Sequence, residues 1–321
     1  MRREIITWSI VAAVVVAAFA GTVLILNASL YSAGGFVRSY LDALERKDVD
    51  GALELAGAPS ETDASRELLV RDAMGDLGEI RLVSDEAQAD GIHRVVYAWE
   101  ADGTAGQSSF DVRRDGTLFG LFPTWEFDTS PIATLQLSIM HDDHFEANGV
   151  ELVTPTQNEP SPYLAFAPGA YELSHKSTLL TAVPETVTVS SPSSIVPGVL
   201  DIQANDKFVA AAQQAVNKAL DDCTTQTVLL PTACPFGRPI ANRIVTDPLW
   251  SMVTYPRVTI EPGTGDSQWR MPPTDATAHL VVDVKSLFDG SVSTLDEDVP
   301  FTVGYSISIL PGNELVVTAE F

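Results

Sequence analysis

From Ile5 to Leu26 no side chain is charged, and only Thr7, Ser9 and Thr22 interrupt a continuous apolar run with hydroxyls. At an α-helical rise the run is roughly 33 Å long, enough to cross a hydrocarbon core of about 30 Å, which predicts a transmembrane anchor over residues 5–27. Arg2 and Arg3 precede it and the next basic residue is Arg38. That bias leaves residues 1–4 as a cytoplasmic end and puts the body outside the cell membrane, a single-pass arrangement with the lipid bilayer as first partner. Ala18-Phe19-Ala20 before Gly21 also fits a signal-peptide cleavage site. Apolar sequence continuing through Leu26 argues for an uncleaved helix, and either reading exports the same body.

Beyond Gly34-Gly35 the pattern becomes amphipathic. Phe36, Val37, Tyr40, Leu41 and Leu44 recur at helical spacing among Arg38, Asp42, Glu45 and Arg46. Asp50 can cap a short second helix ended by Gly57, and Thr62 or Asp63 can start a third that carries Leu69 and Ala73 and stops at Gly75. From Leu77 the period changes to two: Ile80 and Leu82, then Val95, Tyr97 and Trp99, alternate with their neighbours. Asp102-Gly103 and Asp115-Gly116 read as turns between those strands, one at Phe110 and Val112, and one from Leu118 to Phe122. The expectation is an α+β domain over residues 33–128.

Short alternating segments follow, around Leu135 to Ile139, Val150 and Leu152, Tyr163 to Phe166, Tyr171 and Leu173, and Val187 and Val189. Asn148-Gly149 and several prolines divide them, which predicts a small β-sandwich-like module over residues 130–190. Residues 191–200 have linker composition. A helix then starts at Asn205 or Asp206 and carries a stripe of Phe208, Ala212, Ala215, Val216, Ala219 and Leu220. Strands are expected at Trp250 to Tyr255, Val258 to Ile260, Ala278 to Val284, Phe301 to Ile309 and Leu315 to Phe321. Residues 201–321 thus read as a second helix-plus-antiparallel-sheet domain.

Composition narrows the partners. With 19 basic and 43 acidic side chains the formal net charge is -24, a field that repels phosphate backbones, so no nucleic acid is expected. Cys223 and Cys234, the two cysteines, fall on the exported side, where a disulfide is the natural assignment.

The helix FVRSYLDALERKDVDGALELAG, more helix, and a meander ending in Trp125-Glu126-Phe127 resemble the nuclear-transport-factor-like superfamily of cone-shaped α+β folds. The resemblance covers residues 33–127 and implies a fold whose members include isomerases and dehydratases with a small molecule in the cone, and also exported modules without chemistry. If a cavity were present, Tyr40, Tyr97 and Trp99 would line it, and a carboxylate such as Asp42 would have to face inward to act as a base. Asp42 falls on the polar side of its helix, and the three aromatics equally suit a packed core. The stretch LDDCTTQTVLLPTACPFG resembles uncharacterised, membrane-anchored exported proteins of high-GC Gram-positive bacteria.

His141, Asp143 and His144 carry the ligand chemistry of zinc and related ions. Their setting, between a strand and the Asn148-Gly149 turn, equally suits a solvated loop, and no metal is assigned. His93, His175 and His279 stand isolated, and there is no nucleophile elbow, phosphate loop or dinucleotide fingerprint, so no catalytic residue and no cofactor is expected. The function expected is that of a non-catalytic cell-envelope protein that binds or scaffolds an unknown protein or cell-wall partner. The alternative is a ligand-binding or enzymatic cone acting on a small apolar molecule.

Overall fold

A computed structural model describes residues 2–57 and 63–320. The protein is α+β, with one N-terminal apolar helix and several antiparallel sheets. Its helices are α1 (Arg2–Ala28), α2 (Ala33–Glu45), α3 (Val49–Ala56) and α4 (Asp206–Thr224). The strands are β1 (Leu77–Ala87), β2 (Ile92–Ala101), β3 (Thr104–Leu118), β4 (Phe122–Phe127), β5 (Ile132–Met140), β6 (His144–Ala147), β7 (Val150–Val153), β8 (Pro160–Phe166) and β9 (Gly169–Ser174). They continue with β10 (Leu180–Ala182), β11 (Glu185–Val189), β12 (Ile195–Ala204), β13 (Arg243–Ile244), β14 (Leu249–Thr254), β15 (Glu261–Pro262), β16 (Gln268–Lys285), β17 (Val292–Leu310) and β18 (Glu314–Glu320). Two compact units result: Met1–Ser138 with His144–Ser174 and Pro184–Leu200, and Ile139–Asp143 with His175–Val183 and Asp201–Phe321.

In the first unit, Trp8–Ala28 is long and apolar enough to span a membrane, with a mean hydropathy of 2.6. Ser32 caps α2 by accepting from the Gly35 amide, and the buried stripe Val37, Tyr40, Leu41 and Leu44 follows from that start. Asp48, not Asp50, caps α3 through the Gly51 amide, and Gly57 ends it in the left-handed region at φ 61°. The sheet runs β1-β2-β3-β4, all antiparallel. Val95, Tyr97, Trp99, Phe110 and Val112 from its inner face form one core with α2 and with Leu164 and Phe166 of β8. The other strands of the unit run β12-β5-β8 and β11-β9-β6-β7.

The expected third helix is not formed. Thr62 lies outside the described residues, and from Asp63 the chain is irregular except for a single 3-10 turn at Arg71–Ala73. Its backbone bonds go sideways: the Ser65 amide donates to Pro162 O and Ser65 O accepts from the Leu164 amide, at 2.9 and 2.8 Å. Leu69 and Ala73 are buried all the same.

Leu82 is another departure. Bulges between Gly78 and Arg81, with Glu79 at φ 48°, and between Leu82 and Ser84 interrupt β1; Leu82 pairs with Tyr97 and stays on the inner side of the sheet beside Gly34 of α2, yet on this edge strand it is 47% exposed. Asp102-Gly103 makes the expected hairpin turn, with both residues at positive φ. Asp115-Gly116 does not turn; it is a bulge within β3, and the chain reverses at Phe119-Gly120, at φ 53° and 69°.

Residues 195–200, read as linker, belong to β12, and Gly198 is there for close approach. A Cβ at Gly198 would stand 2.7 Å from Val187 Cγ2 and 2.9 Å from Leu137 Cδ2.

In the second unit, Asn205 caps α4 by accepting from the Lys207 and Phe208 amides, and Phe208, Ala212, Val216, Leu220 and Cys223 are buried. The sheet runs β13-β16-β17-β18, with β14 and β15 also paired to β16. α4 lies against β14 and β18, and its Phe208 meets Trp269 edge-on at 5.6 Å. The strand expected at Val258 to Ile260 is not formed; the Val258 amide donates instead to Gln213 Oε1 on α4 at 3.0 Å.

Candidate functional site

Tyr40, Tyr97 and Trp99 come together in the core of the first unit, 0%, 4% and 2% exposed. Each polar tip is consumed internally. The Tyr40 hydroxyl donates to Ala167 O at 3.0 Å and the Tyr97 hydroxyl to Gly34 O at 2.9 Å. Trp99 Nε1 donates to Ser108 Oγ at 2.8 Å, and that hydroxyl passes a bond on to Ser190 O at 2.5 Å. Phe110 and Phe127 both pack edge-on against Tyr40, with centroids 6.2 and 5.2 Å away. Gly106, opposite Trp99 in β3, leaves room for the indole: a Cβ there would lie 2.5 Å from the ring.

The electrostatics match a closed core. Burial pushes the Tyr40 hydroxyl well above the usual phenol range, Tyr171 adds to the shift, and the bond to Ala167 opposes it. Tyr97 is raised for the same first reason. A space of about 20 Å³ lies against this core, lined by Leu44, Met74, Leu77, Phe166 and Tyr171 among others, which is room for about one water molecule. Asp42 points away from it and pairs with Arg38 Nε at 2.6 Å.

A larger, open groove of about 380 Å³ lies at the end of α2, where Lys47, Asp72, Asp76, Asp102, Asn148 and Glu172 meet. Lys47 Nζ sits 2.8 Å from Asp76 Oδ1 and holds that carboxyl below its ordinary range. Asp102 accepts from the Asp76 amide at 3.0 Å. Asn148 donates to Ala73 O and Ala170 O at 2.8 and 2.9 Å and accepts from the Glu172 amide at 2.8 Å. Those groups build the groove floor and are spent on it; Asp72 and Glu172 add negative charge at the rim, so the groove repels anions. Sequence reasoning missed it because its residues come from six separated stretches, Thr186 supplying the last. The one local signal was Asn148-Gly149, read only as a turn.

The histidine-aspartate stretch separates. His141, at φ 72°, directs Nδ1 to Asp201 Oδ1 and Ile202 O, both at 3.1 Å. Asp142, Asp143 and His144, neighbours in sequence, have ligand atoms within 4.8 Å of one another, with His144 exposed. The other histidines pair with carboxylates or lie buried: His93 with Asp85 at 2.9 Å, His279 between Asp296 at 3.2 Å and Asp298 at 2.7 Å, and His175 only 9% exposed. Cys223 and Cys234 are bonded, with Cα atoms 5.8 Å apart, and tie the end of α4 to the loop after it.

No protein-family model matches the chain, and neither a curated protein nor a solved structure matches it.

Proposed function

We propose that the chain is a membrane-tethered, extracytoplasmic protein of the cell envelope whose body binds or scaffolds a partner without catalysing a reaction. The single observation that carries this reading is the contrast between its two ends. An uncharged helix able to span a bilayer is followed by folded units in which the three aromatics best placed to line a cavity are instead packed and hydrogen-bonded. The two arginines before the span argue for an inside N-terminus. The disulfide and the acidic surface suit the exported side.

Within this reading, residues 33–127 form a cone-shaped fold of the nuclear-transport-factor-like kind. Support comes from α2 packed on one face of a four-stranded antiparallel sheet. Residues 130–190 form the sandwich-like module, and α4 with its long meander repeats the helix-then-sheet order. The polar groove at Lys47 and Asp76 is where we place the first test for ligand contact.

Orientation is tested by fusing a reporter that is active only when exported behind Phe321. Activity is the expected result, and an inactive fusion that is nevertheless membrane-bound would reverse the topology.

A further inference from the structure

The chain reversal between β3 and β4 is made of apolar residues. Leu118, Phe119 and Leu121 are 41%, 84% and 45% exposed, around a Gly120 whose missing Cβ would meet no neighbour. Hairpin tips in water normally carry Gly, Asn, Asp or Ser. An exposed Phe flanked by two Leu is therefore a feature to be accounted for by what it meets.

The end of α1 supplies the answer. Asn27, in the last turn of that helix, donates from Nδ2 to Leu121 O at 3.0 Å. Tyr31 stacks on Phe122 with centroids 4.4 Å apart, and Trp125 Nε1 donates to Tyr31 O at 3.0 Å. Val23, Leu26 and Asn27 are partly covered on α1, whereas Leu24 and Ile25 are about as open as the rest of the span. The tip is thus fixed beside the outer end of the helix, at the depth where a spanning segment leaves the hydrocarbon. Tyr31 and Trp125 there are the residue types enriched at the membrane interface. Arg114, whose guanidinium lies 5.5 Å over the Trp125 ring, places a cation at the same level.

We propose that the Leu118–Leu121 tip is a second membrane-contact element. It dips Leu118, Phe119 and Leu121 into the outer leaflet next to α1 and so fixes the orientation of the first unit on the bilayer. A single helix leaves a tethered body free to rotate and tilt; an inserted side chain close to the helix exit removes that freedom. The lipid surface is the occupant because the tip is continuous with the span and pinned to it by the Asn27 bond. Insertion does not need anionic lipid, which a body of net charge -24 would avoid.

This inference rests on the reading of α1 as a membrane span, and the test separates the two. The full chain is reconstituted into phosphatidylcholine vesicles with an environment-sensitive thiol dye on Phe119→Cys; the native cysteines are joined to each other and do not react. The reference is the dye on Ala17→Cys, midway along α1. The expected result is blue-shifted emission from position 119, with quenching about twofold stronger by a spin-labelled lipid whose label lies near the headgroup than by one labelled deep in the chain. Position 17 should show the reverse order. Iodide quenching at 119 with protection at 17 would overturn the inference and leave the anchor standing. Shielding from both iodide and lipid labels at 119 would mean that protein covers the tip and would overturn it equally. Accessibility to iodide at position 17 would remove the anchor and the inference with it. Leu118→Cys repeats the measurement should the dye at 119 disturb the turn.

Discussion

Asn148 spends its whole side-chain amide on three backbone partners, at Ala73, Ala170 and Glu172, while its own backbone sits at φ 49°. Asn148→Ala strands those groups and puts a Cβ residue without a compensating side chain in the left-handed region. The expected loss is about 2–3 kcal/mol, seen as a lower urea midpoint with an unchanged slope. Tyr40 and Tyr171 make a pH argument. Burial raises both hydroxyls above the ordinary phenol value, so the native chain holds protons that the unfolded chain releases above pH ~10. Their stabilisation is full below that pH and is lost as pH rises through the folded-state values. Absorbance of tyrosinate should therefore rise together with loss of near-ultraviolet dichroism in alkali, and early ionisation of every tyrosine in a folded protein would contradict it. That Tyr40, Tyr97 and Trp99 are interior was readable from periodicity. Their acceptors were not, since Tyr40 reaches Ala167 across 127 positions.

Elements with strong local signals were the legible ones. α4 starts at the expected cap, and Phe208, Ala212, Val216 and Leu220 of its stripe are buried, while Ala215 and Ala219 at the margin are only partly covered. Phe208→Ala at its first turn removes the edge contact with Trp269 and leaves a cavity, with an expected cost of about 3–5 kcal/mol in chemical denaturation. The Cys223–Cys234 bond closes a short loop behind the same helix. Replacing both cysteines with serine should lower stability by about 3 kcal/mol and depress Tm without changing the secondary-structure content. The expected third helix failed because Ser65 bonds to β8, an outcome no window of neighbouring residues contains. Asp115-Gly116 failed for a related reason: the same dipeptide serves as turn or bulge, and the partner strand decides which. The true reversal at Phe119-Gly120 was hidden because its apolar residues read as strand.

At the scale of the molecule, α1 exposes the side chains from Trp8 to Ala20 and meets the β3–β4 reversal near its end, through Asn27 and the neighbouring Tyr31. A chain starting at Ala28 should therefore lose membrane association yet unfold within about 1 kcal/mol of the full chain in detergent, as checked by urea denaturation. The sequence by itself determined the apolar helix long enough to cross a membrane, the α+β class, the bonded cysteines, the buried faces of α2 and α4 and the turns at Asp102-Gly103 and Asn148-Gly149. Each of these follows from hydrophobic period, cap chemistry or a dihedral preference carried by adjacent residues. Only the tertiary structure decided the strand orders, the bulges of the edge strand β1, the strand within the supposed linker, the groove at Lys47 and the apolar tip beside Asn27. Those depend on which distant backbone satisfies a given amide or carbonyl and on a register slip of one residue. Local energies do not discriminate such choices; packing of the whole unit does.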